Sequence, residues 1–568
     1  MTIGRPLPIC SLMAATAILL TSCRTALTPG VPGAEFATIT VRNGSAVAVE
    51  TQRISVHPPR KPTPPKPRPP QVLDKTNRIV DDWIRHRPGT DRVEVLIGFS
   101  DPDPKKHTEA MDSYVALVRK LGGEIVNTHD FISTFLVRLP ISALSQLLAS
   151  EPRVRYIEPN RVQLTRDMIP GTCKLAAGSV HSPSAVTIST IAGASRLDQF
   201  TDPSPIAVAQ LDSGVDNHVN LPPGQIVKRD CLQTPCVNGG NDGCLNHGTP
   251  DAGILIANGV GVEPRGVLPG ATVRSFKVIE QSGSCTVFSN ADAFVRAIAE
   301  AKADPSVNII LTEFLTPGGP QAAVSVAADT AFDAGIPVVT AANPTPGVDA
   351  SPANAHKVFP VSATTQLSAT TVDGRTVPVI WGMTASETTS AGGTNLYCEQ
   401  DGSSGAAPYA VAAALKLKKI LLTLPTPMPD APGNIYALLL ALSEKIFGVS
   451  SRFLVLPPLG KYLTGSFDLA HGETVTAQVN VAANEKLRAA IWWPESATPG
   501  LHNEIHLEIF KPAPLNLLAK ASSKSTKSVF QYVAVPLPFT SGQWELRITG
   551  KNVVAGPQKV YWAAFAGQ

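Results

Sequence analysis

Between residues 90 and 160 the spacing of apolar positions switches repeatedly between strand and helix periods. Val93–Phe99 (VEVLIGF) reads as a strand. Thr108–Leu121 reads as a helix, with Met111, Val115 and Val118 on one face and Gly122-Gly123 as a stop. Strands follow at Glu124–His129 and Ile132–Leu139, then a helix at Ile141–Ala149 with Ile141, Leu144 and Leu148 on one side, then a strand at Arg153–Ile157. The order βαββαβ predicts a ferredoxin-like α+β unit, which by itself implies no function. Further on, short apolar runs alternate with longer amphipathic ones: strands at Pro205–Leu211, Val307–Leu311 and Ile336–Thr340, helices at Ser289–Ala303, Gln321–Ala334 and Tyr409–Leu421. That alternation predicts an α/β domain, a parallel sheet with helices on both faces. After about Leu459 the pattern becomes six short strands, Thr474–Val481, Leu487–Trp493, Ile505–Phe510, Val529–Val535, Trp544–Thr549 and Val560–Phe565, which predict an antiparallel β-sandwich.

Composition narrows the possible functions. The chain has 568 residues, 48 basic and 45 acidic, for a net charge of +3. So even a balance leaves no electrostatic footprint for nucleic acid. No apolar run reaches the 18 or so residues of a spanning helix. The N-terminus instead carries Arg5 and a ten-residue apolar run, Ser11–Leu20, which fits a secretory signal. The run ends in Leu20-Thr21-Ser22-Cys23, which resembles a bacterial lipobox with Cys23 as the lipidated residue. Of 51 prolines, eight lie in residues 58–70, a stretch expected to form a polyproline II spacer of about 40 Å. The expected organisation is a signal peptide at 1–22, a tether at 23–88 with its Pro-rich linker at 58–70, a small domain at 89–165, an α/β domain at 170–450 and a β-sandwich at 458–568. Eight cysteines include Cys10 and Cys23 in the signal region. The other six suit disulfides in an exported chain, with 15 pairings open.

Three segments carry candidate chemistry. Pro205–Leu211 runs into Asp212-Ser213-Gly214, placing a carboxylate at the carboxyl end of a strand, where open α/β sheets bind ligands. His247-Gly248-Thr249-Pro250 opens an apolar helix, with Pro250 tolerated in the first turn. Gly402-Ser403-Ser404-Gly405 precedes an Ala-rich helix, so Ser404 reads either as a cap or as a nucleophile at the positive end of a dipole.

Together these segments, 35 and 157 residues apart, resemble the aspartate, histidine and serine motifs of the subtilisin-like serine proteases, in that family's chain order. The stretch HGTPDAGILIANGVGVEPRGVLPGATVRSFKV looks like that family's histidine helix and following strand. LGGEIVNTHDFISTFLVRLP and EPRVRYIEPN resemble its inhibitory propeptide, and AAIWWPESATPG with GQWELRITGKN resembles the jelly-roll tail of its larger members. The resemblance implies Ser404 as nucleophile, His247 as base, Asp212 as the residue orienting the imidazole, and Asn343 as the oxyanion side chain. It implies no required cofactor and no catalytic metal; structural calcium is a family trait without assignable residues here. Expected partners are peptide or protein substrates, the chain's own propeptide and, through Cys23, a membrane surface. Four positions depart from the family pattern: Ala342 before Asn343, Gly405 after Ser404, Pro250-Asp251 after the histidine, and Thr312-Glu313-Phe314-Leu315 at the substrate edge. Glu313 is expected to be solvated or paired, with no catalytic part. The departures leave open an inactive relative used for binding in the cell envelope. A lipase or esterase elbow is disfavoured, since G-x-S-x-G is absent and no suitable histidine follows the serine. Cleavage between 160 and 172 is expected to free the protease from its anchor.

Overall fold

The computed structural model describes residues 35–42, 45–53 and 55–57 as backbone, and residues 75–100, 106–165, 169, 171–175, 206–259, 265–341, 350–363, 368–378, 380–381, 386–391, 396–422, 431–445, 452–454, 460–495, 502–512, 519–535, 540–554 and 556–567. Cys23, the signal region, the 58–70 linker and Asn343 lie outside the described residues.

The central unit is built on a ten-stranded sheet. Its middle strands, Ile226–Asp230, Thr272–Lys277, Ala207–Asp212, Val307–Thr312, Val338–Thr340 and Phe359–Ser362, lie side by side in that order and pair in parallel. The inner strands Ala207–Asp212, Val307–Thr312, Val338–Thr340 and Phe359–Ser362 are mostly apolar because both faces are covered. Val208, Ile309, Leu311 and Val339 face one cluster, with the helices Gly248–Ile256, Gly402–Leu422 and Pro432–Leu442. Ala209, Leu211, Ile310 and Val338 face the other, with the helices Ala291–Ala303 and Ala323–Asp333. The serine helix starts at Gly402, seven residues before the predicted start. It runs through Pro408, whose missing amide leaves the Ser404 carbonyl without its intrahelical donor.

The small domain has the predicted order, with strands Arg92–Phe99, Glu124–His129, Thr134–Pro140 and Val154–Pro159 and helices His107–Lys120 and Ile141–Ser150. One face of its sheet packs Phe99 on Tyr114, with ring centroids 4.0 Å apart. The opposite face, through Leu96, Ile132 and Leu136, joins the core of the central unit. Burial on both sides explains why VEVLIGF lacks polar alternation.

The C-terminal sandwich holds all six predicted strands, and five more complete it. Gly460–Leu469 and Ala519–Ser523 belong to it, as do three segments expected to be tether. Glu35–Arg42 pairs antiparallel with Gly460–Leu469, Ser45–Arg53 pairs outside it, and Ser55–His57 adds to Thr474–Val481 in the other sheet. The tether expectation fails for 35–57, where main-chain pairing places one strand inside the first sheet and two at sheet edges.

The Pro432–Leu442 helix is wedged between the central sheet and the sandwich. Its Tyr436 ring lies 5.0 Å from Trp492 and 5.1 Å from Phe359, and its hydroxyl donates to Val338 O. At Gly433 an added Cβ falls 2.3 Å from the Tyr561 ring of the sandwich. Gly433→Ala should therefore lower stability by about 1–3 kcal/mol, overriding the helix-propensity gain of alanine. Urea unfolding of the variant beside the parent chain checks the sign.

Candidate active site

The register of the parallel strands brings the candidate residues together. Leu211 stands opposite Thr312, and Thr312 opposite Thr340, so Asp212, Glu313 and Ala341 emerge at neighbouring carboxyl ends. Asp212 is fully buried. It accepts from Ser213 N at 2.5 Å, and the Gln210 amide approaches its second oxygen at 3.4 Å. The turn after it needs glycine: Gly214 has φ +103°, and a Cβ there would sit 2.4 Å from the Asn241 and Gly240 carbonyl oxygens. Gly248 is held equally close, with an added Cβ 2.2 Å from Gly214 O. These two contacts press the histidine helix against the aspartate turn.

His247 is the N-cap residue of that helix, and its Nδ1 lies 3.0 and 3.1 Å from the two Asp212 oxygens. Asp242, which the sequence pattern did not single out, organises this junction. Its carboxylate accepts from His247 N at 3.1 Å and Thr249 N at 2.9 Å, capping the helix in place of a local side chain. Ser213 Oγ lies 2.7 Å from its other oxygen. Burial raises the Asp242 pKa, with its amide bonds opposing.

Ser404 sits in the first turn of the Gly402–Leu422 helix and is fully buried. Its Oγ and His247 Nε2 each lack a hydrogen-bond partner, so the two atoms a proton transfer would join are uncommitted. The chain leading out of the small domain covers them. A Cβ on Gly171 would lie 3.1 Å from Ser404 Cβ. Thr172 N donates to Asp401 Oδ1 at 2.8 Å, and Lys174 pairs with the same carboxylate. Cys173–Leu175 runs antiparallel to Tyr397–Gln400, and the Cys173–Cys398 disulfide fixes this strap. The other bridges are Cys231–Cys236 and Cys244–Cys285.

Two further carboxyl groups share the site. Asp251, one helical turn beyond His247, places Oδ2 3.2 Å from His247 Nδ1, so that ring nitrogen lies between two carboxyl groups. The i, i+4 spacing in HGTPD is the sequence signal that could have found it. Glu313 corrects the expectation of a solvated or paired group. It is fully buried, neither oxygen has a hydrogen-bond partner, and the next ring, Phe314, packs 4.4 Å from His247. Burial raises both pKa values well above the carboxylate range. Glu313 and Asp212 add to the rise at Asp251, and Asp212 adds to it at Glu313. Donor atoms of Asp212, His247 and Asp251 fall within 4.8 Å of one another, a spacing that a cation could also use.

Residues 204–426 match the family model described as the subtilase family. This domain belongs to the subtilase family. It is a serine-peptidase domain with the subtilisin-like α/β fold. Among curated proteins, none matches the sequence. Solved structures it is similar to include a variant of the epidermin leader peptide processing serine protease from Staphylococcus aureus, at 16% identity and TM-score 0.45, covering 64% of this chain and 97% of that one. Fervidolysin from Fervidobacterium pennivorans, a keratinolytic enzyme related to subtilisin, is 15% identical with TM-score 0.43, covering 87% of this chain and 98% of its own.

The raised Asp251 pKa has a consequence for stability. The native protein keeps a proton that the unfolded chain releases above the ordinary carboxylate range. This contribution to stability is complete at lower pH and is lost as pH rises toward the folded value, by up to about 1.4 kcal/mol per pH unit. Asp251→Asn in a Ser404→Ala background should remove that slope. Urea unfolding of the two proteins above about pH 4.5 measures the difference.

Proposed function

We propose that this subtilase is an exported, lipid-anchored serine endopeptidase, made as an autoinhibited zymogen. The observation that carries the reading is His247 held by Asp212 on Nδ1 while its Nε2 and the Ser404 hydroxyl are both buried without a hydrogen-bond partner. Ser404 Oγ attacks the peptide carbonyl carbon, and its proton passes to His247 Nε2. Asp212 holds the Nδ1–H tautomer and stabilises the imidazolium. The leaving amine takes the proton from Nε2, leaving an acyl-serine. Water then attacks that ester, His247 takes the water's proton, and the acid departs as Ser404 regains its hydrogen. The Ser404 amide, at the positive end of its helix, is one donor to the oxyanion, and Asn343 is the proposed side-chain donor.

The inhibitory role of the small domain is supported by its docking. Glu158 accepts from Ala323 N at 2.5 Å and Asn160 Oδ1 from Asp292 N at 2.9 Å, so it caps two helices of the peptidase domain. Its extension Arg161–Gln163 pairs antiparallel with Val287–Asn290, and the chain then reaches Gly171 over Ser404. At the same interface His129 Nε2 lies 2.7 Å from Asp292 Oδ1. Burial and then Arg296 push the His129 pKa down to about 4, with Asp130 opposing.

A fluorophosphonate probe should label the processed protein on Ser404, and labelling should vanish in Ser404→Ala. Ser404→Ala or His247→Ala should lower kcat by about 10⁴–10⁶-fold. A folded, propeptide-free protein that takes no label would support the binding-protein alternative instead.

The strand pairing of 35–57 also revises the expected release from the anchor. A cut just before Gly171 breaks the chain between the small domain and the peptidase, yet the N-terminal piece still contributes three strands to the sandwich. The protease should therefore stay with its anchor after that single cut. Native mass spectrometry after cleavage before Gly171 and within 58–70 should find the peptide ending near residue 57 still bound, and its dissociation in native buffer would contradict retention.

A further inference from the structure

Glu313 lies where a fully buried carboxyl group is hardest to explain as structure. Its backbone continues the Val307–Thr312 strand, and Glu313 N donates to Leu211 O at 3.2 Å, beside the Asp212 turn. Its side chain is fully buried with both oxygens unbonded. The hydroxyl that stabilises its charged form is that of Ser404. The two groups stand side by side but short of a well-formed hydrogen bond, since Ser404 Oγ is also unpartnered. The titratable groups facing it are Asp212 from the neighbouring strand and Asp251 from the histidine helix, which also carries His247. The Gln400 amide is near enough to Asp251 to oppose the rise in its pKa, without a well-formed hydrogen bond. Among the described residues no lysine or arginine forms an ion pair with Glu313.

We propose that Glu313 positions the Ser404 hydroxyl and sets the alkaline limit of the reaction: as a carboxylic acid it donates to Ser404 Oγ, and as a carboxylate it draws the hydroxyl proton away from His247. This rests on the serine-peptidase reading above. In the acid form the serine oxygen accepts from Glu313, and its own hydrogen is left to point at His247 Nε2. In the ionised form Glu313 can only accept, so the Ser404 hydrogen turns toward it and the serine loses its base. A carboxylate is a stronger acceptor than a neutral imidazole, so the ionised arrangement competes with the triad directly. No bond to carbon changes in the switch, and the only proton exchanged is that of Glu313 with solvent. The acid form is favoured at ordinary pH because two carboxyl groups already share this dry space and no cation balances a third charge. Activity is therefore full while Glu313 keeps its proton and falls as pH rises through its elevated pKa.

The test is the pH profile of kcat/KM for processed wild type, Glu313→Gln and Glu313→Leu on one peptide substrate. Active sites are counted by fluorophosphonate labelling, and folding is checked by circular dichroism. Glutamine always offers an N–H to Ser404 Oγ and cannot ionise. Its kcat/KM at the alkaline end should exceed that of wild type by tenfold or more, with the alkaline limb displaced. Leucine should lower kcat across the whole profile and leave KM unchanged. A Glu313→Gln profile that superimposes on wild type would overturn the proposal. Loss of activity in Glu313→Gln at every pH would also overturn it, by making the carboxylate the base. If wild type neither labels nor cleaves, the peptidase reading fails first and this proposal falls with it; if wild type is active, the Glu313 result stands on its own.

Discussion

Three carboxyl groups and one imidazole share a space from which water is excluded. Asp212, Asp251 and Glu313 are each fully buried, and among the described residues the basic group paired with Asp212 and Asp251 is His247. Full ionisation of all three would place charges of one sign within a few ångströms in a low-dielectric interior, which no fold of ordinary stability can hold. Protons must remain on part of the set. Asp212 has an amide, Ser213 N, and the His247 ring nitrogen Nδ1 within hydrogen-bond distance. Asp251 and Glu313 have no such donors, and the protons settle on them. The same inequality fits the proposed roles, in which Asp212 orients the imidazole and Glu313 acts as an acid.

The fold supports that arrangement from beneath. Neighbouring strand ends place Asp212 beside Glu313, and the close approach of Gly214 and Gly248 brings the histidine helix onto the same edge. Asp242 completes the junction by accepting from the first amides of that helix. Any larger residue at either glycine separates helix from strand, and the imidazole moves with the helix.

Much of this was legible in the sequence because each element obeys a local rule. The apolar runs of the central strands, the αL-requiring glycines and the helix-opening proline are properties of a few consecutive residues. Asp212, His247 and Ser404 sit at element ends and were found there. The parts that were missed depend on contacts between distant segments. Glu313 looks like a strand-end residue bound for solvent, and only the convergence of the Asp212 strand, the histidine helix and the serine helix buries it. Asp242 lies in a polar loop whose purpose is set by a helix it does not belong to. Residues 35–57 become strands only because a sandwich more than 400 positions away offers unpaired edges. Periodicity reads burial along one segment, and none of these three features is a property of one segment.

The distant contacts also explain why one cut cannot by itself liberate the site. The small domain is held by caps on two helices, the strap by main-chain pairing and the Cys173–Cys398 bridge, and the N-terminal strands by the sandwich. Cleavage before Gly171 removes only the covalent link between the first two. The inhibitor then remains on the linker between residues 58 and 70, a tether short enough to keep its effective concentration high. The new N-terminus, Gly171, remains bridged to Cys398 through Cys173, the third residue after the cut, and is still beside Ser404. On the proposed zymogen reading, activation requires that the small domain leave by its own dissociation or further cutting, and that the strap swing about its disulfide. Those two motions, rather than the first peptide-bond cleavage, would then carry the control.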